Sequence, residues 1–316
     1  MGTLLEVKNL RTWFPIKKGV FARTVGYVKA LDGVSFTLDE GETLGIVGES
    51  GCGKSTLART ILRLAKPREG SVRVAGQDAF SLRGAALQAY RRTVQVVFQD
   101  PHASLNPRHT ILDILTEAPI AHGLLKREDR RDFAAKLLAD VGMSADILDR
   151  YPFAFSGGQR QRICIARALA LNPRLLICDE AVSALDLSIR AQVLNLLEDL
   201  KATRGLSYLF ITHDIGVVEH IADRVLVMYL GRVVESGTCA EVLGSPLHPY
   251  TRLLLASVPE IGKPLPEAAP LDATAAPVPG GCPFAPRCPF RTDDCDKGEP
   301  QLENAGGTHV TRCCRQ

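Results

Sequence analysis

A chain of 316 residues, 46% of them hydrophobic, is long enough to form one or two globular domains with a full apolar core. Its formal net charge of +3 is too small to indicate nucleic-acid binding by itself. No stretch of about 18 apolar residues is present, and the N-terminus lacks the pattern of a signal peptide. The sequence therefore predicts a cytosolic protein whose membrane role, if it has one, comes through a partner.

The first 245 or so residues alternate short apolar strands with helical stretches. This alternation predicts an α/β fold with a partly parallel sheet. Between residues 100 and 154 helical runs replace the strand pattern, which indicates a helical subdomain inserted into the α/β core. The predicted elements are strands at 42–48, 94–99, 174–180 and 208–212, helices at 54–65, 188–203 and 214–222, and a hairpin at 224–237 around Leu230-Gly231.

The C-terminal part of the chain differs in composition from the rest. Residues 259–281 are rich in Pro and Ala and predict an extended linker. Five of the nine cysteines follow it, and in a reducing compartment such a cluster indicates a metal site more than disulfides. We therefore expect an α/β domain over 1–258, with its helical subdomain at about 100–165, a linker over 259–281, and a Cys-rich region over 282–316.

A phosphate-binding loop is the clearest motif. GESGCGKST (48–56) fits G-x-x-x-x-G-K-[ST], follows a predicted strand and opens a predicted helix. In such a loop backbone N–H groups cradle the phosphates, the lysine reaches the β and γ oxygens, and the serine hydroxyl faces Mg²⁺. The predicted nucleotide-binding residues of the loop are Gly48, Ser50, Gly51, Cys52, Gly53, Lys54, Ser55 and Thr56.

Polar residues at the ends of other predicted strands could complete the site. Asp179 and Glu180 end an apolar strand; we expect Asp179 to hold Mg²⁺ through water and Glu180 to act as general base. His213 and Gln99 also follow strands, at the sheet edge where ligands bind. A Gln99 amide there could touch Mg²⁺ or the attacking water. A lone His or Gln at a strand end is more often structural, so these two assignments depend on the phosphate loop.

A second anion site is predicted at FSGGQRQR (155–162). Ser156 and Gln159 have the spacing of a capping box. Gly157 and Gly158 then leave backbone N–H groups bare at a helix N-terminus, which favours an anion. Because the chain already has a phosphate cradle a hundred residues earlier, the second site needs a different explanation.

The phosphate loop, FSGGQRQR and LLICDE together resemble the ATP-binding cassette family. The resemblance implies a P-loop ATPase fold with an inserted helical subdomain and an antiparallel β subdomain, extended by a Cys-rich C-terminal region. It also implies that two subunits face each other head to tail with two ATP molecules between them. The residues that would bind the γ-phosphate held by the second subunit are Ser156, Gly157, Gly158 and Gln159.

The resemblance extends to single positions. It implies that Gln99 links the nucleotide state to a membrane partner, that Asp186 in SALD lies across the dimer interface, and that His213 touches the γ-phosphate. Phe14 occupies the place of the aromatic that stacks on adenine, with Tyr27 as a rival.

The segments around residues 96–108, 151–170, 208–237 and 246–259 resemble oligopeptide and dipeptide importers, most closely their second ATPase subunit. Nickel and glutathione importers share these signatures. One departure is Ala181, where the family usually has proline. The resemblance implies ATP and Mg²⁺ as ligands and a position at the cytoplasmic face of the inner membrane. The implied partners are a second ATPase subunit, two transmembrane permease subunits and an extracytoplasmic peptide-binding protein, with no nucleic acid.

An ATP-binding cassette protein that acts on ribosomes or DNA is the alternative from another class. Ribosomal factors of this kind generally carry two cassettes in one chain, whereas this chain has one phosphate loop. The DNA-repair ATPases separate the phosphate loop from the signature by a long coiled coil, and no heptad repeat is found here. Both features favour the importer.

The cysteines of the tail resemble the C-terminal region of peptide-importer ATPases, which can bind a [4Fe–4S] cluster through four thiolates. Structural zinc and free or incidentally oxidised thiols are the alternatives, and Cys314 could replace Cys313. The expected cluster ligands are Cys282, Cys288, Cys295 and Cys313.

Overall fold

The structure is a computed structural model that describes residues 2–19, 22–257 and 280–314. The chain divides into two compact units. The first unit comprises Met1–Glu6, Thr37–Glu42 and Arg73–Ile211, and the second comprises Val7–Phe36, Thr43–Val72 and Thr212–Gln316. The predicted linker lies outside the described residues except for Gly280 and Gly281.

Twelve strands and eleven α-helices are present in the described ranges. The strands are β1 (Thr3–Lys18), β2 (Arg23–Asp39), β3 (Thr43–Val47), β4 (Glu69–Val74), β5 (Gln77–Asp78), β6 (Val94–Val97), β7 (Leu175–Asp179), β8 (Ser207–Ile211), β9 (Arg224–Tyr229), β10 (Arg232–Thr238), β11 (Glu303–Gly306) and β12 (His309–Thr311). The helices are α1 (Lys54–Ile61), α2 (Gly84–Thr93), α3 (Pro101–Ser104), α4 (Ile111–Ala121), α5 (Arg130–Asp140), α6 (Gly157–Leu169), α7 (Leu187–Arg204), α8 (Ile215–Ile221), α9 (Cys239–Gly244), α10 (Pro249–Ala256) and α11 (Asp294–Lys297).

The first unit contains three adjacent parallel strands in the order β8-β7-β6. Every residue of β7 is buried, as its continuous apolar sequence predicts for a strand covered on both faces. Between β6 and β7 the described chain forms only helices and turns, which confirms the helical run predicted from 100 to 154. A capping box at Thr110 starts α4.

The second unit contains strands in the order β11-β12-β10-β9-β3. β3 and β9 are parallel, and β9 and β10 are antiparallel. Their turn has positive φ at both central residues, 43° at Leu230 and 79° at Gly231, as a tight hairpin requires. The predicted hairpin at 224–237 is therefore confirmed. A separate four-stranded sheet has the order β2-β1-β4-β5, with β4 antiparallel to β5.

The Cys-rich segment belongs to the second unit, and several of its residues lie in the apolar core of that unit. Its strand β12 pairs with β10, with Glu235 opposite Thr311. Phe284 is almost completely buried and packs against Tyr229 and Tyr250, with ring centroids 5.3 and 5.5 Å away. The segment thereby supplies part of the apolar core around β9 and β10.

Over the described ranges, no helix combines the length and the apolar composition needed to cross a bilayer.

Candidate nucleotide-binding site

The phosphate loop connects β3 to α1 in the second unit, as predicted. Gly48 and Gly53 have φ of 152° and 111°, a region that disfavours side chains. A Cβ at Gly48 would overlap the carbonyl oxygen of Met228, and one at Gly53 would overlap that of Ala30. Glycine is therefore required at both positions by backbone conformation and by close packing.

Lys54 is buried at the start of α1, and its Nζ donates to the carbonyl oxygens of Gly48 (2.5 Å) and Glu49 (2.9 Å). The ammonium group therefore lies inside the loop, where it can meet phosphate oxygens. Cys52 is also buried, and burial raises the pKa of its thiol although the nearby Lys54 opposes this. The thiol is thus a packing group of the loop and stays protonated at neutral pH.

His213 lies in the same unit as the loop and is exposed. The Thr212 N–H donates to the carbonyl oxygen of Ile46 at 3.1 Å, so this segment runs beside the end of β3 that leads into the phosphate loop. Asp214 accepts from the N–H of Val217 (3.4 Å) and caps α8. These contacts place His213 at the edge of the strand that carries the loop.

Asp179 and Glu180 lie in the first unit at the end of β7, as predicted. Asp179 is buried, whereas Glu180 is partly exposed and has a left-handed backbone with φ of 52°. This strained conformation is held by hydrogen bonds from the Glu180 N–H to Ile211 O (2.9 Å) and from the Ser183 hydroxyl to Glu180 O (2.9 Å). Gln99 follows the neighbouring parallel strand β6 by two residues and is exposed.

The predicted capping box at the start of α6 is confirmed. The Ser156 hydroxyl accepts from the N–H of Gln159 (3.4 Å), and the Gln159 side chain accepts from the N–H of Ser156 (3.0 Å). A Cβ at Gly157 would meet nothing within 4 Å, whereas one at Gly158 would overlap the side chain of Ile189. Gly157 is therefore open to a ligand, and Gly158 allows α7 to pack closely. Asp186 is exposed immediately before α7.

Comparison with known proteins agrees with this arrangement. The family model for the ABC transporter matches residues 31–183, and the model for the oligopeptide/dipeptide transporter C-terminal region matches residues 234–295. The oligopeptide transport ATP-binding protein AppF of Bacillus subtilis (strain 168) is 50% identical over 98% of this chain and 97% of its own length. The chain belongs to the ATP-binding cassette (ABC) transporter family.

Two further relatives support the assignment to the ABC family. The dipeptide transport ATP-binding protein DppF of Escherichia coli (strain K12) is 48% identical over 97% of this chain and 93% of its own length. Among solved structures, the ATP-binding cassette MJ0796 in a dimeric post-hydrolysis state, bound to ADP and Pi, has a TM-score of 0.65 and 31% identity. That match covers 75% of this chain and 99% of MJ0796.

Tyr27, one of the two aromatic residues that the sequence analysis named for adenine, lies in a group with Trp13 and Arg68. Trp13 lies against Tyr27, with ring centroids 6.1 Å apart. The Arg68 guanidinium lies 4.4 Å from the Trp13 ring and 5.1 Å from the Tyr27 ring. Phe14 is 45% exposed. The choice of Phe14 over Tyr27 for adenine stays a prediction, and Trp13 is the chain's single tryptophan.

The C-terminal cysteines share one small cavity. The cavity measures about 20 Å³, which has room for about one water molecule. The Sγ atoms of Cys295 and Cys314 lie 3.3 Å apart. Within residues 2–19, 22–257 and 280–314, no three His, Cys, Asp or Glu residues are arranged to hold a metal ion. The cavity is lined by Cys282, Cys288, Cys295, Cys313 and Cys314, among others.

The described structure therefore gives no support to the expected [4Fe–4S] cluster, nor to the zinc alternative. The sequence predicted correctly that these cysteines lie together, since all five line one cavity. The spacing of the cysteines in the sequence indicates which thiols lie close together. It does not determine the distances and angles between them that metal coordination requires.

Two residues that contact the phosphate loop were not predicted. The N–H of Glu49 donates to Tyr250 Oη (2.8 Å), and the Glu49 carboxylate accepts two hydrogen bonds from Arg287 (both 2.8 Å). Both partners are about 200 residues or more from Glu49 in sequence, so no local pattern could reveal them. The acidic side chain at Glu49, beside a loop that binds anions, was the available signal.

Proposed function

We propose that the chain is the ATP-hydrolysing motor subunit of a membrane importer for oligopeptides or dipeptides, bound at the cytoplasmic face of the inner membrane. Its likeness to AppF and DppF over nearly the whole of each chain supports this function. The match of residues 234–295 to the oligopeptide/dipeptide transporter C-terminal region supports the peptide branch.

The proposed partners are a homologous second ATPase subunit, two transmembrane permease subunits and an extracytoplasmic peptide-binding protein. They are supported by the resemblance to ATP-binding subunits of peptide transporters. In this proposal the permease and the binding protein select the transported cargo, and the chain hydrolyses the ATP that drives transport.

One observation carries the head-to-tail dimer. The chain holds a phosphate loop, and it also holds an exposed helix start at Ser156 and Gly157 whose N–H groups have room for a phosphate. A second anion site is explained if it serves the nucleotide of a neighbouring subunit. The dimeric state of MJ0796 with ADP and Pi supports this arrangement.

Within the proposed site each residue has one role. Lys54 contacts the β and γ oxygens of ATP, and the loop N–H groups bind the remaining phosphate oxygens. Glu180 accepts a proton from the attacking water while the water oxygen bonds to the γ-phosphorus and the bond to the ADP oxygen breaks. His213 donates to the γ-phosphate.

Mg²⁺, when bound, neutralises the developing charge on the phosphates. Oxygen donors suit this ion, and the described residues offer the Ser55 hydroxyl, the buried Asp179 carboxylate acting through water, and the Gln99 amide oxygen. We also assign Gln99 the role of reporting the nucleotide state to the permease, and Asp186 a place at the dimer interface.

The proposed dimer is a two-state switch. Each ATP contacts both subunits, so ATP favours the closed pair, and loss of the γ-phosphate removes one of those contacts. ATP can shift the equilibrium toward the closed pair only by the difference in its binding free energy between the closed and the open states.

Substituting Glu180→Gln tests the role of the general base. We expect the variant to bind ATP and to dimerise with its partner subunit, while ATP turnover falls by about 10²- to 10⁴-fold. Size-exclusion chromatography with light scattering measures the dimer, and phosphate release measures turnover. Glu128→Gln, at a well-exposed acid in the first unit, is the matched control. Rapid turnover by Glu180→Gln would contradict this role.

The cargo requires a transport experiment. Proteoliposomes that hold the complete complex should take up labelled di- or oligopeptides in the presence of ATP, with glutathione and Ni²⁺ as competing cargo. Uptake of glutathione or Ni²⁺ without peptide uptake would refute peptide import. A pull-down from native membranes should recover the permease subunits, and recovery of ribosomes instead would refute the importer.

The [4Fe–4S] cluster stays a proposal supported only by the spacing of the cysteines, and no step of the mechanism depends on it. Iron and sulfide analysis after anaerobic purification tests it. About four iron atoms per chain would support the cluster, and a colourless protein free of iron would refute it.

A further inference from the structure

Glu49, the second residue of the phosphate loop, is held at each of its polar groups. Its N–H donates to Tyr250 Oη at 2.8 Å, and its carbonyl oxygen accepts from Lys54 Nζ at 2.9 Å. Its carboxylate accepts from both terminal nitrogens of Arg287, each at 2.8 Å. The backbone of the loop is therefore fixed at this residue by side chains from α10 and from the Cys-rich segment.

Arg287 is itself held in place. It ends a short 3₁₀ turn, Ala285–Arg287, and its side chain is only 11% exposed. The guanidinium lies 5.7 Å from the ring centre of Tyr229 and 5.8 Å from that of Phe284. The planar guanidinium of arginine can stack on aromatic rings and form a bidentate hydrogen bond to a carboxylate. The ammonium group of lysine suits neither arrangement as well.

Other ion pairs hold the Cys-rich segment against β10 within the second unit. Glu299 pairs with Arg232 of β10 and with Arg312, which also donates to the carbonyl oxygen of Val233 at 3.0 Å. The buried His309 contacts the buried Glu235 at 2.7 Å. The bond between Arg287 and Glu49 differs from these because one partner belongs to the phosphate loop.

We propose that Arg287 is a positioning residue for ATP binding, acting through Glu49 on the backbone of the phosphate loop. The proposal rests on the proposed role of this loop in binding ATP. A loop held in its binding conformation before the ligand arrives loses less conformational freedom on binding, which raises affinity. Since both terminal nitrogens of Arg287 donate to the Glu49 carboxylate, Arg287 acts without touching the nucleotide.

The test compares ATP affinity in four full-length variants: Arg287→Gln, Arg287→Lys, Glu49→Gln and the double variant Glu49→Gln/Arg287→Gln. Displacement of a fluorescent ATP analogue in the presence of Mg²⁺ gives Kd, and thermal unfolding without nucleotide shows whether each variant is folded. The matched control is Arg291→Gln, because Arg291 pairs with Asp296 at 2.7 Å in the same segment, away from the loop.

We expect Arg287→Gln and Glu49→Gln each to raise the Kd for ATP roughly tenfold, the loss that goes with one charge-assisted pair. The double variant should be no weaker than either single variant, because both act through one contact. Arg287→Lys should recover only part of the affinity. In the assembled transporter KM for ATP should rise, while kcat at saturating ATP stays within about twofold.

The Glu49→Gln variant distinguishes an effect of loop positioning on ATP affinity from a direct electrostatic effect of the Glu49 charge. If only charge mattered, removing a carboxylate beside the phosphates would tighten ATP binding, and that result would overturn the proposal. An unchanged Kd in Arg287→Gln, independent effects that multiply in the double variant, or an equal loss in Arg291→Gln would also overturn it. If Arg287→Gln does not fold, Arg287→Lys and Glu49→Gln decide by the same comparison.

Failure of the proposed function has a different signature. If the wild-type chain does not bind ATP, or if Lys54→Ala binds it equally well, the phosphate loop does not have its assigned role and the positioning proposal fails with it. If the wild-type chain binds ATP, Lys54→Ala does not, and Arg287→Gln equals the wild type, only the positioning proposal fails.

Discussion

His248 makes the stability of the second unit sensitive to acid. It is the N-cap of α10, and its Nδ1 accepts from the N–H of Tyr250 at 3.1 Å. The ring is buried, and burial lowers the pKa of His248 from 6.5 to about 4. A proton on Nδ1 would remove the acceptor that caps the helix. The same helix carries the Tyr250 hydroxyl that holds Glu49.

The sign follows from which state binds the proton. Between pH 6.5 and about 4 the unfolded chain binds a proton at His248 and the folded chain does not. The contribution of this group to stability is therefore present above pH 6.5 and is lost as the pH falls toward 4. The gap corresponds to about 3 kcal/mol in all, and lowering the pH from 7.5 to 5.5 removes about 1 kcal/mol of it.

The assay is urea unfolding of the wild type and of His248→Asn at pH 7.5 and 5.5. Asparagine is a good N-cap and does not titrate in this range, so the variant keeps the cap without the proton site. The loss of unfolding free energy on acidification should be about 1 kcal/mol smaller in the variant. Comparing each protein with itself across pH cancels any change in packing. Equal losses in the two proteins would refute the reasoning.

Two further changes test the packing around the phosphate loop. Gly48→Ala places a Cβ against the carbonyl oxygen of Met228 at a φ of 152°, and we expect ATP affinity to fall more than tenfold. The control is Gly41→Ala, which is also at positive φ but has nothing within 4 Å of its Cβ. Retained affinity in Gly48→Ala would show that the close contact between Gly48 and Met228 is not required for ATP binding. Phe284→Ala empties a nearly fully buried site between Tyr229 and Tyr250 and should cost about 3–5 kcal/mol of unfolding free energy, measured in urea. A loss below about 1 kcal/mol would show that the Cys-rich segment does not support the core.

Local sequence patterns predicted those parts of the site that are formed by residues close together in the sequence. The phosphate loop is set by glycines between a buried strand and a helix, and the capping box at Ser156 is complete within four residues. Element ends were less accurate, since they depend on single backbone conformations. The helix predicted over 54–65 ends at Ile61 because Arg63 turns left-handed, with φ of 61° and stabilising bonds from the next residues back to Arg59.

Contacts between distant segments were beyond the sequence pattern. The short strand β12 reads as polar, and only its pairing with β10 makes it part of the sheet. The cysteine spacing predicted that the thiols meet, and they do line one cavity, but the distances between them depend on packing that spacing does not encode. The support of Glu49 by Tyr250 and Arg287 belongs to the same class, because it joins residues about 200 or more positions apart.

The position of Arg287 gives the Cys-rich segment a reason to be folded into the unit that carries the phosphate loop. Cys282 and Phe284 lie in the apolar core of that unit, and Arg287 follows them by a few residues with its guanidinium on the rings of Tyr229 and Phe284. A change in the packing of the thiol cavity would move the turn Ala285–Arg287, and the Arg287 contact would pass this change to Glu49. Any ligand or modification at these cysteines that shifts the turn should therefore change ATP affinity in the wild type. The change should be smaller in Glu49→Gln, because the side-chain contact between Arg287 and the loop is then weakened at its acceptor.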